Sequence, residues 1–314
     1  MNYLGAKRIP FLFIIDFDFS KPVIIPLEEI DNSEILFNTP GKSNHDGHKS
    51  QLKEYSFKTH PVRFSDYKIA FNTVMNNLLA GNSYLLNLTF ATKIETDLTL
   101  TDIFYHGNAK YKLCFKDEFV CFSPEIFVKI KHGKIYSYPM KGTIDANIDN
   151  ALEIIMNDDK EFAEHNTIVD LIRNDLSMVS KQVKVTKFRY ADYLKTNKKN
   201  LIQISSEISG NLADDYHEHL GDIISALLPA GSVTGAPKQK TIEIIKSAED
   251  YDRNYYTGVF GIFDGQDLDS AVMIRFIEKS GDGYVFKSGG GITTMSNAES
   301  EYQELLDKVY VPIY

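Results

Sequence analysis

The stretch from Cys121 to Thr143, CFSPEIFVKIKHGKIYSYPMKGT, constrains the fold more than any other part of the chain. Two runs of β-forming residues flank His132-Gly133-Lys134, and a short glycine-containing loop between such runs predicts a β-hairpin. A three-residue loop pairs Lys131 with Ile135 and collects the apolar side chains on one face. A slip of one residue would mix apolar and polar side chains on both faces, so the pattern favours this register.

The predicted register brings an acid and an amine together. Glu125 lies opposite Lys141 at the open end of the hairpin, with their β-carbons roughly 5 Å apart. One interpretation is a surface cross-strand ion pair. The other is an acid/base group beside an amine nucleophile, which the neighbouring prolines and the close approach allowed by Gly142 favour. The pattern alone leaves both interpretations open.

Composition narrows the class of protein. The chain has 314 residues, of which 43% are hydrophobic and 25% charged, as is typical of globular proteins. The net charge of −9 and the lack of a basic patch argue against a nucleic-acid partner. An anionic substrate therefore needs a local cationic or metal site. Cys114 and Cys121 form no CxxC motif, so we expect reduced core cysteines in a cytoplasmic protein.

Further patterns give a coarse order of elements. The N-terminus has no signal-peptide pattern, and its apolar run 11–15 is too short to cross a membrane, so no membrane partner is expected. Hydrophobic spacing and turn residues predict strands at 11–17, 23–25, 182–190 and 201–209, a loop at 38–58, and helices at 66–80 and 158–179.

Two predicted helices carry pairs of acidic residues. Glu161 and Glu164 are three residues apart on the helix over 158–179, and Asp158-x-x-Glu161 fits a capping box that gives Glu161 a structural role. Near the end of the chain Ser296 predicts a second helix start, with Glu299 as its capping-box partner. On that helix a face is shared by Glu301, Glu304 and Lys308.

The segment LLPAGSVTGAPKQK predicts a loop that leads into a helix at Pro237. Free backbone amides at such a junction suit a carboxylate, although a tight turn entering a packed helix is an equally good interpretation. The phosphate-loop pattern GxxxxGK[ST] does not match, which argues against a nucleotide site.

Several of these segments together resemble the chorismate-utilising enzymes, which include anthranilate and isochorismate synthases. The resemblance covers roughly residues 70–310 and keeps the family's motif order. It implies an α+β fold of the anthranilate-synthase type, with packed antiparallel β-sheets, outer helices and the site between the sheets. It also implies a single catalytic domain over 1–314, to which short strands and a loop in 1–65 belong. The matching segments are SPE at 123–125, PMKGT at 139–143, AEHNTIVDLIRNDL at 163–176, AGSVTGAPK at 230–238, RNYYTG at 253–258, AVMIRF at 271–276 and SGGGI at 288–292.

The resemblance also assigns roles to residues. Lys141 and Glu125 take the catalytic positions, and Mg²⁺ is the implied cofactor. Leu85, Gln203 and Phe276 depart from the family pattern, in which Gln, His and Thr are usual. The implied metal ligands are Glu164 and Glu304, with Glu301 and Glu161 as neighbouring carboxylates. The implied substrate-binding residues are Arg275, Thr234, Gly235, Tyr256, Gly290, Gly291, Lys308 and Gln203.

The identity of residue 141 points to one reaction within the family. Anthranilate and isochorismate synthases, which this chain resembles, carry alanine at this position. By the same resemblance, Lys141 implies amination of chorismate at C4 through a covalent lysine adduct, with Glu125 as general acid. Ammonia would come from a glutamine amidotransferase subunit, and an aminodeoxychorismate lyase would act next, towards 4-aminobenzoate and folate. The alternatives are anthranilate or isochorismate synthase activity, or a chorismate-binding subunit without turnover.

Overall fold

The computed structural model describes residues 1–47, 54–195 and 200–313. The helices within these ranges are α1 Asn2–Ala6, α2 Phe64–Leu79, α3 Leu100–His106, α4 Ala151–Met156, α5 Asp159–Val179, α6 Leu220–Leu227, α7 Gly231–Thr234, α8 Lys238–Ala248 and α9 Ala298–Asp307. None of the described helices combines the length and apolar character needed to cross a lipid bilayer.

The described strands form two antiparallel β-sheets. They are β1 Phe11–Ile15, β2 Val23–Pro26, β3 Ile35–Thr39, β4 Lys42–Ser43, β5 Phe57–His60, β6 Leu85–Thr96, β7 Tyr111–Phe115, β8 Phe119–Ser123, β9 Ile126–Lys131, β10 Lys134–Ser137, β11 Met140–Asp145, β12 Lys181–Lys195, β13 Asn200–Asn211, β14 Gly235–Ala236, β15 Val259–Phe263, β16 Leu268–Val272, β17 Phe276–Ser280 and β18 Gly283–Ile292. The first sheet has the order β11-β13-β10-β9-β16-β15-β1-β2, with β12 also on β13. The second has the order β14-β6-β18-β17-β8-β7-β3-β4, with β5 also on β6. The predicted α+β class is confirmed.

The chain divides into two compact units. The first unit comprises 1–11, 125–232 and 262–270, and the second comprises 12–124, 233–261 and 271–314. The expectation of one catalytic domain over the whole chain stays a prediction.

The central hairpin forms, but its predicted register is wrong by one residue. Lys131 pairs with Lys134 and Ile130 with Ile135, so the turn has two residues, not three. His132 and Gly133 have φ of 50° and 71°. A turn with both central residues at positive φ matches the right-handed twist of the flanking strands, which explains why the shorter loop is preferred.

The predicted pairing of Glu125 with Lys141 is also wrong. Strand β10 lies between β9 and β13, and beyond Pro139 the chain continues along β13 as β11. Lys141 therefore belongs to a ladder with β13, whereas Glu125 directly precedes β9. Proline has no amide hydrogen to donate to a ladder, and beyond Pro139 the chain no longer pairs with β9.

The main helix predictions are confirmed, with corrections at the ends. α2 is followed by Gly81 at φ 75°, and α5 begins after Asp158, whose carboxylate accepts a hydrogen bond from the Glu161 amide at 2.9 Å. α9 is capped one residue later than predicted, because Asn297 and not Ser296 accepts the hydrogen bond of the Ser300 amide at 3.0 Å. The predicted loop 38–58 is wrong in part, because β4 and the start of β5 lie within it. Residues 48–53 of this range lie outside the described part of the chain.

The family resemblance implies one continuous strand over AVMIRF, 271–276, and this prediction is wrong. β16 ends at Val272 in the first sheet, and β17 begins at Phe276 in the second. Arg275, directly before β17, has φ of 52°, a left-handed conformation that a continuous strand does not contain. The chain changes sheets inside this apolar run, which periodicity alone does not reveal.

Helix packing positions the functional segments within each unit. In the second unit α2 buries Tyr67, Phe71, Val74 and Leu78, a stripe at helical spacing, in a cluster that includes residues of β6 and α9. In the first unit Ile155 of α4 packs in a cluster with Ile202 and Ile204 of β13. The strands that carry the candidate site therefore have packed helical supports.

We expect both cysteines to be inert in the native protein. Cys114 and Cys121 are buried with exposures of 3% and 0%, and burial raises the thiol pKa of Cys114 to about 12 and also raises the thiol pKa of Cys121. Because the thiolate is the reactive form, less than about a tenth of either thiol should react with a thiol reagent at pH 8 within an hour. Complete labelling after unfolding in urea is the control. Rapid labelling of the folded protein would contradict this prediction.

Candidate functional site

Lys141 lies on a β-bulge in the first unit. Met140 pairs with Ser205 of β13 and Thr143 pairs with Gln203, so β11 contains one extra residue between the two pairs. Gly142 lies in this bulge with φ of 86°, a conformation suited to glycine. Bulges redirect a side chain and occur often beside active sites. The bulge also places Gln203 across the ladder from the same segment.

Lys141 forms an ion pair with Glu164. The Nζ atom of Lys141 lies 2.7 Å from Oε2 of Glu164, and Lys160 Nζ lies 3.7 Å from the other carboxylate oxygen. The Glu164 side chain is only 9% exposed, whereas those of Lys141 and Lys160 are 31% and 44% exposed. A mostly buried carboxylate thus orients the amine from α5, a contact that the hairpin pattern did not predict.

Glu161 belongs to the same cluster, and its side chain is not a cap. Its backbone amide bonds to Asp158, while its side chain lies against Gly142, where a β-carbon would be 2.9 Å from Oε2. Burial raises the pKa of Glu161, with Lys141 acting in the opposite direction and Glu164 in the same direction. Its Oε2 is buried and, among the described residues, has no hydrogen-bond partner. The capping-box interpretation of its side chain is therefore wrong.

His165 fixes the helix that carries these glutamates. It is fully buried, and its Nε2 lies 2.7 Å from Oγ of Ser206 on β13. Burial, aided by the charge of Arg189, lowers the pKa of His165 to about 4, so the ring is neutral at physiological pH. The contact ties α5 to the strand that pairs with the Lys141 bulge.

Glu125 also belongs to the first unit. It lies between β8 and β9 and accepts a hydrogen bond from the Ser232 hydroxyl. A cavity of about 20 Å³, room for about one water molecule, is bordered by Glu125, Ser232 and the buried Asp175. Ser232 was not predicted as a site residue, although it lies inside the AGSVTGAPK motif.

The rest of the AGSVTGAPK motif lies in the second unit, where its backbone passes close to that of β6. Thr234 is fully buried, and Gly235 pairs with Leu86 of β6 at φ of 126°. A β-carbon at position 235 would lie 1.8 Å from the carbonyl oxygen of Leu85. Only glycine fits this position, so the glycine of GAPK is required by the approach of β14 to β6.

We expect Gly235→Ala to destabilise the protein strongly. The clash with the Leu85 carbonyl and the positive φ each oppose alanine, so the unfolding free energy should fall by about 3 kcal/mol or more. Urea denaturation followed by circular dichroism measures this loss. Gly283→Ala is the matched control, because a β-carbon at position 283 would meet no atom of the described residues within 4 Å. Equal midpoints for the two variants would contradict the prediction.

In the second unit the glycine run of β18 lies beside two carboxylates and a lysine from α9 and its C-terminal end. Gly290 and Gly291 pair with Leu88 and Asn87 of β6. A β-carbon at position 290 would lie 3.5 Å from a Glu301 oxygen, 3.6 Å from Glu304 Oε1 and 3.9 Å from Lys308 Nζ. Lys308 Nζ also donates to Gly289 O at 2.8 Å and lies 2.5 Å from Glu304 Oε1. The predicted neighbours are thus brought together.

Arg275 and Tyr256 also belong to the second unit. The guanidinium carbon of Arg275 lies 5.6 Å from the centre of the Tyr310 ring, and its backbone carbonyl accepts a hydrogen bond from Phe122 N at 3.2 Å. Tyr256 is buried, with its ring 5.8 Å from that of Phe276. The left-handed backbone at Arg275 breaks the strand pattern where the family resemblance places a substrate contact.

The donor chemistry of both units fits a hard divalent cation. Each unit presents two glutamates three residues apart, Glu161 with Glu164 and Glu301 with Glu304. Mg²⁺ is bound in proteins by one or two carboxylates together with water and substrate oxygens. Among the described residues no group of three or more His, Cys, Asp or Glu forms a complete protein cage. The buried Glu161 oxygen and the glycine-lined side of Glu301 and Glu304 suit such a ligand set.

Comparison with known proteins identifies the family. The family model described as chorismate binding enzyme matches residues 26–313. A PabA-like protein of Haemophilus influenzae is 52% identical over 312 residues, 99% of this chain and 95% of its own. Component 1 of aminodeoxychorismate synthase from Bacillus subtilis is 36% identical over 201 residues, 62% of this chain and 42% of its own. The structure is similar to that of anthranilate synthase component I from Streptococcus pneumoniae, with a TM-score of 0.68 and 27% identity over 82% of this chain and 59% of that one. The chain belongs to the chorismate-binding enzyme family.

Proposed function

We propose that this protein is an aminodeoxychorismate synthase, which converts chorismate and ammonia to 4-amino-4-deoxychorismate and water. The observation that carries the proposal is the position of Lys141, an amine on a glycine bulge, oriented by a mostly buried glutamate. The similarity to an aminodeoxychorismate synthase component supports the same reaction. A chain that only bound chorismate would have no chemical need for an amine at this point.

In the proposed reaction Lys141 acts as the nucleophile. Its neutral amine attacks C2 of the ring, both ring double bonds shift, and the 4-hydroxyl leaves as water after Glu125 donates a proton to it. Ammonia then adds at C4, both double bonds shift back, and the lysine amine leaves C2. The ammonium group formed at C4 returns a proton to Glu125, which restores the general acid. Ser232 orients the Glu125 carboxyl. Glu164 orients the Lys141 amine through the 2.7 Å contact.

The remaining candidates are proposed to hold the substrate. Arg275 suits a carboxylate because its planar guanidinium offers paired donors. The other proposed contacts are Thr234, Gly235, Tyr256, Gly290, Gly291, Lys308 and Gln203. We propose Glu164 and Glu304 as ligands of Mg²⁺, with Glu161 and Glu301 beside them. When bound, Mg²⁺ would neutralise a substrate carboxylate.

We further propose that the protein acts in the cytoplasm, in folate biosynthesis. Ammonia would be supplied by a separate glutamine amidotransferase subunit, and an aminodeoxychorismate lyase would convert the product to 4-aminobenzoate. The two buried cysteines are unsuited to be an amidotransferase nucleophile, since burial raises the pKa of both thiols. This supports a separate source of ammonia.

The test is to identify the product. The purified protein is mixed with chorismate, Mg²⁺ and an excess of ammonium salt, and the product is identified by mass spectrometry with and without added lyase. Aminodeoxychorismate, converted to 4-aminobenzoate by the lyase, is the expected result. Anthranilate or isochorismate would overturn the proposed reaction. Binding of chorismate without turnover, also when amidotransferase is present, would identify a non-catalytic subunit.

Metal dependence is tested on the same reaction. Treatment with a chelator should abolish turnover, and added Mg²⁺ should restore it. For Glu304→Gln the Mg²⁺ concentration that gives half-maximal activity should rise at least about tenfold, because a charged ligand is lost. Glu299→Gln is the matched control, since Glu299 on the same helix is exposed and pairs with Lys68 at 3.4 Å. Full activity in the presence of chelator would contradict the proposal.

A further inference from the structure

We propose that Arg253 is a positioning residue that fixes the relative placement of three segments of the second unit. The inference rests on the proposed function, because these segments carry the proposed substrate contacts. Arg253 is 3% exposed, and its guanidinium donates to groups on different parts of the chain. The family resemblance gave this residue no role.

The first segment is the one that contains Thr234 and Gly235. Nη1 of Arg253 donates to the carbonyl oxygen of Val233 at 3.0 Å, directly before Thr234. Since Gly235 follows in the crossing with β6, this hydrogen bond fixes the approach of the GAPK segment.

The second segment is the glycine run in β18, which Arg253 reaches through β6. Nη2 of Arg253 donates to the carbonyl oxygen of Asn87 at 2.6 Å, and Asn87 is the pairing partner of Gly291. Movement of the guanidinium would therefore be transmitted through the ladder to the glycines beside Glu301 and Glu304.

The third segment is the turn that contains Tyr256. Nη1 of Arg253 also donates to Thr257 Oγ1 at 3.3 Å, and the Tyr256 amide donates to the Arg253 carbonyl at 3.0 Å. Lys287 Nζ donates to that same carbonyl at 3.0 Å. The turn is thus held by both the side chain and the backbone of Arg253.

Glu249 orients the guanidinium for all three contacts. Its two carboxylate oxygens accept hydrogen bonds from Nε and Nη2 of Arg253 at 2.8 and 2.6 Å. Glu249 also accepts from the amide and hydroxyl of Thr89, the pairing partner of Gly289, at 2.9 and 2.8 Å. Both side chains of the pair are buried. The two parallel hydrogen bonds between guanidinium and carboxylate therefore replace the water that each charged group would otherwise bind.

A neighbouring cavity makes a chemical-rescue experiment practicable. A cavity of about 440 Å³ in the second unit is lined by Glu249, Tyr251 and Arg253, with Phe17 and Ile245. Free guanidinium ion can enter through it and occupy the space left by Arg253→Ala. Rescue by guanidinium, but not by an equal concentration of sodium chloride, would show that the hydrogen-bonding ion itself is required.

The experiment compares wild type with Arg253→Ala and with Arg63→Ala, whose arginine is exposed and pairs with Asp66. In Arg253→Ala the amide exchange rates of 87–89, 233–236, 254–257 and 289–291 should rise at least about tenfold, without change in β13. The KM for chorismate should rise at least about tenfold, with kcat falling less than about threefold, and guanidinium should reverse the KM change. Arg63→Ala should match wild type.

Exchange that is unchanged in these segments, or raised equally in both units, would overturn the inference. If Arg253→Ala does not fold, Glu249→Gln takes its place, and the same local rise in exchange is expected. The exchange result needs no turnover, so it stands or fails separately from the proposed function. If the wild-type protein forms no aminodeoxychorismate but binds chorismate, the dissociation constant replaces KM, and an unchanged constant overturns the inference.

Discussion

Lys141→Ala is expected to lower the rate of C4 amination at least about 10³-fold, because the variant lacks the proposed nucleophile. The structure supplies the reason why the neighbouring Lys160 should not replace it. Lys141 lies on the bulge of β11 in contact with Glu164 Oε2, whereas Lys160 approaches the other oxygen from the helix surface, at 3.7 Å. Formation of aminodeoxychorismate, measured by coupling to the lyase, provides the rate.

Lys160→Ala is the matched control for this variant. It removes an amine from the same carboxylate but leaves the bulge unchanged, so its rate should stay within about threefold of wild type. Intact-protein mass spectrometry after mixing with chorismate but no ammonia should detect an adduct of chorismate less one water in wild type and in Lys160→Ala. Lys141→Ala should form no such adduct. Retention of more than about a tenth of the wild-type rate by Lys141→Ala would show that the amine is a bystander.

Glu125→Gln is expected to lower kcat by about 10²- to 10⁴-fold with little change in the KM for chorismate, as for loss of a general acid. Glutamine keeps the shape of the side chain and still accepts the hydrogen bond of Ser232, but it has no proton to give to the leaving hydroxyl. The rate is measured in the same coupled assay, at saturating chorismate and ammonium.

Ser232→Ala separates orientation from proton transfer. Because this change removes only the hydroxyl that orients Glu125, a loss of about three- to tenfold in kcat is expected. Glu153→Gln on the exposed face of α4 is the control and should match wild type. A loss confined to KM, or wild-type kcat for Glu125→Gln, would refute the role of Glu125 as general acid.

Local patterns predicted most of the elements, and for a local reason. The apolar stripe of α2, the Asp158 cap of α5 and the strands on either side of His132-Gly133 depend on residues close together in the chain. These preferences operate before tertiary contacts form, so they can be read from the order of residues. The family motifs likewise lie within short segments and needed no structure to be recognised.

The register of the hairpin strands and the side chains that contact Lys141 could not be predicted in the same way. The hairpin differed from expectation by one residue because turn twist favoured one of two loops of similar pattern. Lys141 was expected opposite Glu125 in the hairpin, but beyond Pro139 the chain pairs with β13, which comes from much later in the chain. Glu164 of a later helix forms an ion pair with Lys141.

Residue order alone was sufficient to predict the class of elements, the family motifs and the chemical types available to the site: an amine, several carboxylates and a guanidinium. Which of these groups touch became clear only in the folded chain, where the Glu161 side chain lies at the Gly142 bulge and Arg253 is the common partner of three distant segments. Hydrogen bonds and ion pairs between residues far apart in the chain depend on where packing places the backbone. That placement is a property of the whole fold, so no short pattern contains it.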